Sequence, residues 1–285
     1  MNAFSDPRHV SDSAASVELA ASAELEAVLE HAVTAVKAAG AHLLERHDEG
    51  ARPGDLNEIV RAIDANDDAV LALIQQPLLA ARPGSRWVED ELGGGSLPDG
   101  EWWVVDTAEG NINHIHGMGE WGVTATLVRD NAPVLTVVHL PLTGDTYTAL
   151  RGRGALLNGE PLRSSAKTDL RAALVGTGQA KPGEEESALR RMGASVTAML
   201  INALVVRVSV PATMQLIHVA SGRMDAFWQF SDVRSGLLSG ALLVHEAGGT
   251  VTDTRGEPWS LASADFLASA PALHTRVVDV LSDLD

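Results

Sequence analysis

Apolar positions recur at helical spacing over residues 17–48, a stretch rich in Ala, Leu and Glu, and this predicts a first helix. A second helix is predicted over 58–81. It carries acids at 64, 67 and 68, and Arg82-Pro83-Gly84 ends it. The pattern then shortens. SRWVED (85–90) reads as a strand, ELGGGSLPDGE (91–101) as a loop, and WWVVD (102–106) as a strand ending on an acid. Residues 120–141 predict two strands joined by a turn at Asp130-Asn131-Ala132-Pro133, and 143–162 a further hairpin-rich stretch. The first part is thus two helices packed on an antiparallel sheet. From about Ser165 the pattern alternates between strands (171–178, 203–210, 224–230, 250–254) and helices (184–200, 212–222, 232–248, 274–284), which indicates an α/β layer. The expected organisation is a loose arm over 1–16, an N-terminal α+β domain over 17–164 and a C-terminal α/β domain over 165–285.

The 285 residues are 45% apolar and 21% charged, near globular averages, and suffice to bury a core without staples. Cysteine is absent, which excludes disulfides, thiolate nucleophiles and Cys-based metal sites. The polar, acid-bearing start lacks a signal-peptide pattern, and no apolar run is long enough to span a membrane. A cytoplasmic protein is expected. The formal net charge of −17 repels nucleic acid and anionic membranes, so neither is expected as a partner. It would repel a phosphorylated substrate too, and a divalent cation would resolve that conflict as the largest local charge.

Acids stand at strand ends and helix starts: Asp64, the run Glu89-Asp90-Glu91, Asp106, Glu109 and Asp232. Such ends face the crevices where ligands bind. Hard oxygen donors suit Mg²⁺ or Mn²⁺ rather than zinc. From the acids alone the signal is weak, because any acidic chain has acids in its loops.

The flanking residues sharpen it. W-V-V-D-T-A-E-G-N-I-N-H (103–114) resembles the signature W-h-h-D-P-h-D-G-T-x-N-F, where h is apolar. D-V-R-S-G-L-L-S-G-A-L-L-V-H-E-A-G-G (232–249) resembles W-D-h-A-A-G…E-A-G-G. Y-T-A-L-R-G-R-G-A-L-L-N-G-E-P-L (147–162), I-V-R-A-I-D (59–64) and R-W-V-E-D-E (86–91) are similar to three further segments of the same pattern, in the same order. The chain is identified on these grounds as resembling the inositol-monophosphatase-like family of magnesium-dependent, lithium-sensitive sugar phosphatases.

The resemblance implies an α+β / α/β fold layered α-β-α-β-α, hydrolysis of a small phosphorylated alcohol, Mg²⁺ (or Mn²⁺) as cofactor, and a homodimer. By position it implies metal ligands at Asp90, Asp106, the carbonyl of Ala108, Glu109 and Asp232, with Glu89 or Glu91 able to take the place of Asp90 if the register slips. Asp64, Asn111 and Glu91 fall at catalytic positions. The amides of Gly110 and Asn111 match a phosphate cradle, and Thr213, Gln229 and Arg234 fall at substrate-binding positions.

Several positions depart from the pattern. Thr107 replaces Pro, Glu109 replaces Asp, Asp90 replaces Glu, and Asn111 replaces a Thr whose hydroxyl, in the family, works with an acid on the attacking water. His114 replaces Phe, Ser231 replaces Trp, and Pro211-Ala212-Thr213 stands where G-S/T-A is usual. An amide cannot relay a proton as a hydroxyl can. Asn111 thus predicts weak ordinary phosphatase activity, or a substrate that supplies the missing group, and the changed 211–213 and 229–232 segments argue against free inositol phosphate as substrate. The alternatives are a family member repurposed for other chemistry, or a non-catalytic binding or regulatory protein. Of the remaining side chains, His139, His218 and His245 and the six tryptophans are expected to be mostly packed.

Overall fold

The structure is a computed structural model that describes residues 8–179, 183–231, 233–282 and 284, with side chains from residue 23 onward. Helices α1 (Arg8–Arg46) and α2 (Leu56–Ala81) form the outer layer. Helix α1 reaches back to Arg8, into the segment expected to be a loose arm; residues 1–7 of that segment lie outside the described residues. Asp55 caps α2 by accepting from the amide of Glu58 at 2.9 Å, and Glu58 in turn accepts from the amide of Gly54 at 2.7 Å, so the helix start is held from both sides.

The first sheet has seven strands in chain order: β1 (Arg86–Trp87), β2 (Glu101–Glu109), β3 (Gly122–Arg129), β4 (Ala132–Leu140), β5 (Asp145–Leu150), β6 (Gly154–Leu157) and β7 (Glu160–Pro161). It is antiparallel except for the β1/β2 pair, which is parallel. The β3–β4 turn is tighter than the sequence predicts. Asp130 and Asn131 alone take positive φ (48° and 66°), as a two-residue hairpin requires, and Ala132 and Pro133 already belong to β4.

The second sheet runs β11-β12-β10-β8-β9. Its strands are β8 (Leu174–Thr177), β9 (Val205–Val208), β10 (Ala226–Gln229), β11 (Thr250–Thr252) and β12 (Phe266–Ser269). Strands β8, β9 and β10 are mutually parallel, and β12 is antiparallel to both its neighbours. The sequence pattern misses β12: FLAS has no alternation to read because all four residues are buried between neighbouring strands.

Helices α5 (Ala212–Ala220) and α6 (Arg234–Glu246) lie between the sheets, with α6 against β2, β3, β4 and β5 on one side and β11 and β12 on the other. Helices α4 (Glu186–Asn202) and α7 (His274–Leu281) cover the far face of the second sheet. The order is therefore α-β-α-β-α. Eleven consecutive residues of α6, Arg234 to Val244, are buried, as a helix packed on both sides must be. Gly240 permits this: a Cβ there would sit 2.4 Å from the Cβ of Leu216 on α5.

Among the described residues, four apolar clusters fill the gaps between the layers. Trp103, Trp121 and Trp228 are fully buried, whereas Trp87, Trp102 and Trp259 are only partly covered. His139 and His218 are packed, but His245 is exposed near the end of α6, contrary to the sequence expectation. No helix among the described residues is long and apolar enough to cross a membrane.

Candidate active site

The site forms where β2 ends. In a regular strand, residues three apart face opposite sides of the sheet. Here the pairing shifts between Asp106, opposite Thr124, and Glu109, opposite Gly122, so Thr107 and Ala108 together face the single residue Val123. This bulge turns Asp106 and Glu109 towards one another, and their carboxyl groups share a hydrogen bond. The amide of Ala108 donates back to Oδ1 of Asp106 at 3.0 Å. Gly110 follows with φ 78°; a Cβ there would lie 2.6 Å from the carbonyl oxygen of Glu120, so only glycine fits. The short helix α3 (Asn111–His114) then begins.

Two other elements bring acids to this point. Helix α2 contributes Asp67, whose Oδ1 accepts from the hydroxyl of Thr107 at 2.9 Å and from Nδ2 of Asn111 at 3.2 Å. Asp64, matched to this role by resemblance, is exposed on α2; the acid that contacts the signature is Asp67, almost one helical turn later. The loop after β1 contributes Glu91. Glu89 and Asp90 are exposed, while Glu91 is half-buried and feels Asp106, Asp67, Glu109 and Asp90. The structure thus favours Glu91 over Asp90 as the acid turned towards the cluster. Asp232, expected as a ligand, lies outside the described residues.

Crowded anions in a poorly solvated place resist ionisation. Burial first, then repulsion from the other acids, pushes Glu91 up to about 10. Burial and the neighbouring Asp67 push Asp106 up to about 7, against the pull of the Ala108 amide and the Glu109 hydrogen bond. Glu109 is raised by burial and by Asp106, while the hydroxyl of Thr213 opposes the shift. Asp67 is raised by burial and by Asp64 and Asp68, against the hydrogen bonds from Thr107 and Asn111.

Of the residues expected to bind substrate, Thr213 and Arg234 are engaged within the protein. Thr213 is fully buried, and its hydroxyl lies 3.1 Å from Oε2 of Glu109 and 3.0 Å from the carbonyl of Gly236. Gln229 is buried on β10. Arg234 donates to the backbone carbonyls of Asp90, Gly94 and Gly95 at 3.1, 2.8 and 3.1 Å, and the amide of Ser235 donates to that of Glu91 at 3.1 Å. Arg234 therefore helps fasten the glycine-rich loop that carries Glu91. The physical reason is position: the start of α6 lies beneath this loop, so these side chains meet protein backbone there.

Asn111 is also fully used. Its Nδ2 reaches Asp67 and the carbonyl of Ile63 (3.3 Å), and its Oδ1 accepts from Asn66 at 2.8 Å. Asn66, which the sequence reading does not single out, further accepts from Nε of Arg46 at 2.9 Å and meets Nδ1 of His114 at 3.0 Å. The other ring nitrogen of His114 lies 3.0 Å from the carbonyl of Leu43. Burial lowers the pKa of His114, and its ring packs edge-on against Trp121. A pocket of about 380 Å³ opens beyond Asn66, lined among others by Arg46, Arg52, Glu58 and His114; none of the clustered acids lines it.

The inositol monophosphatase family matches this chain over residues 24–284. The chain belongs to that family. It is 33% identical over 200 residues to an inositol-1-monophosphatase of Rhizobium meliloti, covering 65% of this chain and 69% of that one. It is 35% identical over 166 residues to the Nus factor SuhB of Pseudomonas aeruginosa, covering 58% and 61%. Among solved structures, an inositol monophosphatase from Anabaena (Nostoc) sp. superposes with a TM-score of 0.75 at 25% identity, over 92% of this chain and 97% of that one.

The family is metal-dependent, generally on Mg²⁺. Among the described residues no three acids or histidines converge as a closed ligand set. The donor chemistry nevertheless fits a hard cation. Glu91, Asp106, Asp67 and Glu109 are oxygen donors. The other three are close enough to raise the pKa of Glu91, and Asp67 is close enough to raise that of Asp106; a divalent ion would relieve that repulsion.

Proposed function

We propose that this protein is a metal-dependent phosphatase that hydrolyses a small phosphorylated alcohol or sugar-like phosphate monoester. The observation that carries the reading is the crowding around the bulged end of β2, where Glu91 feels Asp106, Asp67 and Glu109 and Asp106 feels Asp67. Glu91, Asp106 and Glu109 would hold Mg²⁺ or Mn²⁺, together with Asp232 and the carbonyl of Ala108. The bound cation supplies charge neutralisation for an anionic substrate and stabilisation of the leaving oxygen. Asp67 accepts a hydrogen bond from the attacking water and orients it. The backbone at Gly110 and Asn111, where a side chain at 110 has no room, receives the phosphate. Thr213 holds Glu109, and Arg234 holds the Glu91 loop.

The test is phosphate release from a panel of sugar, inositol and nucleotide monophosphates, with and without Mg²⁺. Mg²⁺-dependent release that falls to background in Asp106→Asn is the expected result. Release that is independent of metal, or untouched by that substitution, overturns the reading. A second reading, a binding protein without catalysis, is favoured by the likeness to a protein named a Nus factor. No release together with no Mg²⁺ binding would select it. The net charge of −17 speaks against direct nucleic-acid contact in either case.

A homodimer is part of the proposal. The end of α4, the turn after it and β9, an edge strand among the described residues, expose Ile201 (78%), Leu204 (66%), Leu200 (61%) and Val208 (54%), an apolar surface beside a sheet edge. A second copy covers it. Ile201→Glu is expected to shift the mass measured by light scattering from dimer to monomer. An unchanged dimer would place the interface elsewhere.

A further inference from the structure

We infer that Thr107 is a positioning residue for the reaction: its hydroxyl locks the Asp67 carboxylate so that Oδ2 faces the attacking water. The inference rests on the phosphatase reading above, and deepens it. Asp67 sits on a helix whose own acids, Asp64 and Asp68, repel it, and it faces Asp106 and Glu91 across the site. A carboxylate so placed has every reason to swing towards solvent. Two donors oppose this, and both land on the same oxygen: Thr107 at 2.9 Å and Asn111 at 3.2 Å from Oδ1. Neither of these hydrogen bonds reaches Oδ2.

The two donors are not equivalent. Thr107 offers the closer contact, and of the two hydrogen bonds it does more to oppose the upward shift that burial gives Asp67. It is 6% exposed and β-branched, so its side chain has little rotational freedom. It also belongs to the bulge itself, between Asp106 and Ala108, so whatever positions Asp106 positions the Asp67 carboxylate with it. Asn111 divides its amide between Asp67 and the carbonyl of Ile63, and its oxygen is taken by Asn66. The hydroxyl that the family pattern places at 111 is absent from this chain, while position 107, proline in that pattern, carries one. The two departures fall on the same carboxylate oxygen and compensate each other.

The experiment compares Thr107→Val, which keeps the shape and removes the donor, with Thr107→Ser, which keeps the donor. The readouts are kcat, KM and Mg²⁺ affinity by calorimetry. The expected result is a fall in kcat of about 10–10²-fold for T107V, with KM and Mg²⁺ affinity near those of the wild type and kcat largely restored in T107S. Adding Asn111→Thr to T107V is expected to recover much of the loss, since a hydroxyl is again available beside Asp67. A wild-type kcat in T107V overturns the inference, and so does a T107S variant as impaired as T107V. A loss of Mg²⁺ affinity that matches the loss of kcat overturns it as well, because the hydroxyl then serves the cation site and not Asp67. If T107V does not fold, Thr107→Ala takes its place with the same outcomes. A wild type that releases no phosphate from any ester defeats the phosphatase reading and this inference together. An active wild type with an indifferent T107V defeats this inference alone.

Discussion

Asp67→Asn is expected to lower kcat for phosphate release by about 10²–10⁴-fold, the usual cost of losing a group that assists the attacking water. Asp64→Asn is expected to stay within about twofold of the wild type, because an exposed charge is screened by solvent and salt. The contrast is informative because both acids lie on α2, separated by less than one turn. Asp67 touches Thr107 and Asn111 at the signature, and Asp64 is exposed. Steady-state assays of the two variants, with folding checked by circular dichroism, decide the matter. Equal losses would mean that α2 serves the site only through its charge. A loss confined to Asp64→Asn would return the role to the position first suggested by sequence resemblance.

The second large effect is a linkage between pH, metal and stability centred on Glu91. Its carboxyl is raised from 4.5 to about 10 in the folded protein by burial and by Asp106, Asp67, Glu109 and Asp90. Between those two values the folded chain retains a proton that the unfolded chain has released. The folded state binds more protons, so stability falls as pH rises through this window. Glu91→Gln removes the titration. Without divalent metal, the wild type should therefore lose Tm relative to the variant as pH is raised from about 5 to 9. The difference is on the order of 1 kcal/mol per pH unit at most, a few degrees in Tm for a chain of this size.

Mg²⁺ reverses the sign of the comparison. A ligand held by ionised carboxylates stabilises the folded state by mass action, about 2.7 kcal/mol at a hundredfold excess over Kd, and binds more tightly as pH rises. Addition of Mg²⁺ at pH 8 is expected to raise the Tm of the wild type more than that of Glu91→Gln. Thermal melts of both proteins across pH, with Mg²⁺ or EDTA, provide the measurement. Parallel pH curves, or equal gains with Mg²⁺, would show that Glu91 is not part of the cation site.

Much of this was legible without coordinates, for reasons that differ between elements. The stripe of Val70, Ile74 and Leu78 marks the buried face of α2, and it already separates the two acids. At about 100° per residue, Asp67 stands about 40° from the centre of the buried stripe that starts at Asn66, and Asp64 about 100°. The signal that separates the two acids is therefore present as periodicity, whereas the motif at 59–64 points to Asp64 on the exposed side. No comparable signal existed for Glu91. Three acids in a row within a loop have no period, and only the anchoring of that loop by Arg234 and Ser235 shows which carboxylate turns inward.

Local chemistry determined the alternation of elements, a turn within Asp130-Asn131-Ala132-Pro133 and the family pattern around Asp106, because each depends on residues close together in the chain. The partners of Thr107, Thr213, Arg234 and Asn66 are 40, 104, 140 and 45 positions away in sequence, at Asp67, Glu109, Gly94 and Asn111. Such pairings leave no trace in local periodicity. They arise when α2, the bulge in β2 and the start of α6 pack against one another, and that packing decides which acids share the site and which side chains are consumed in holding them there.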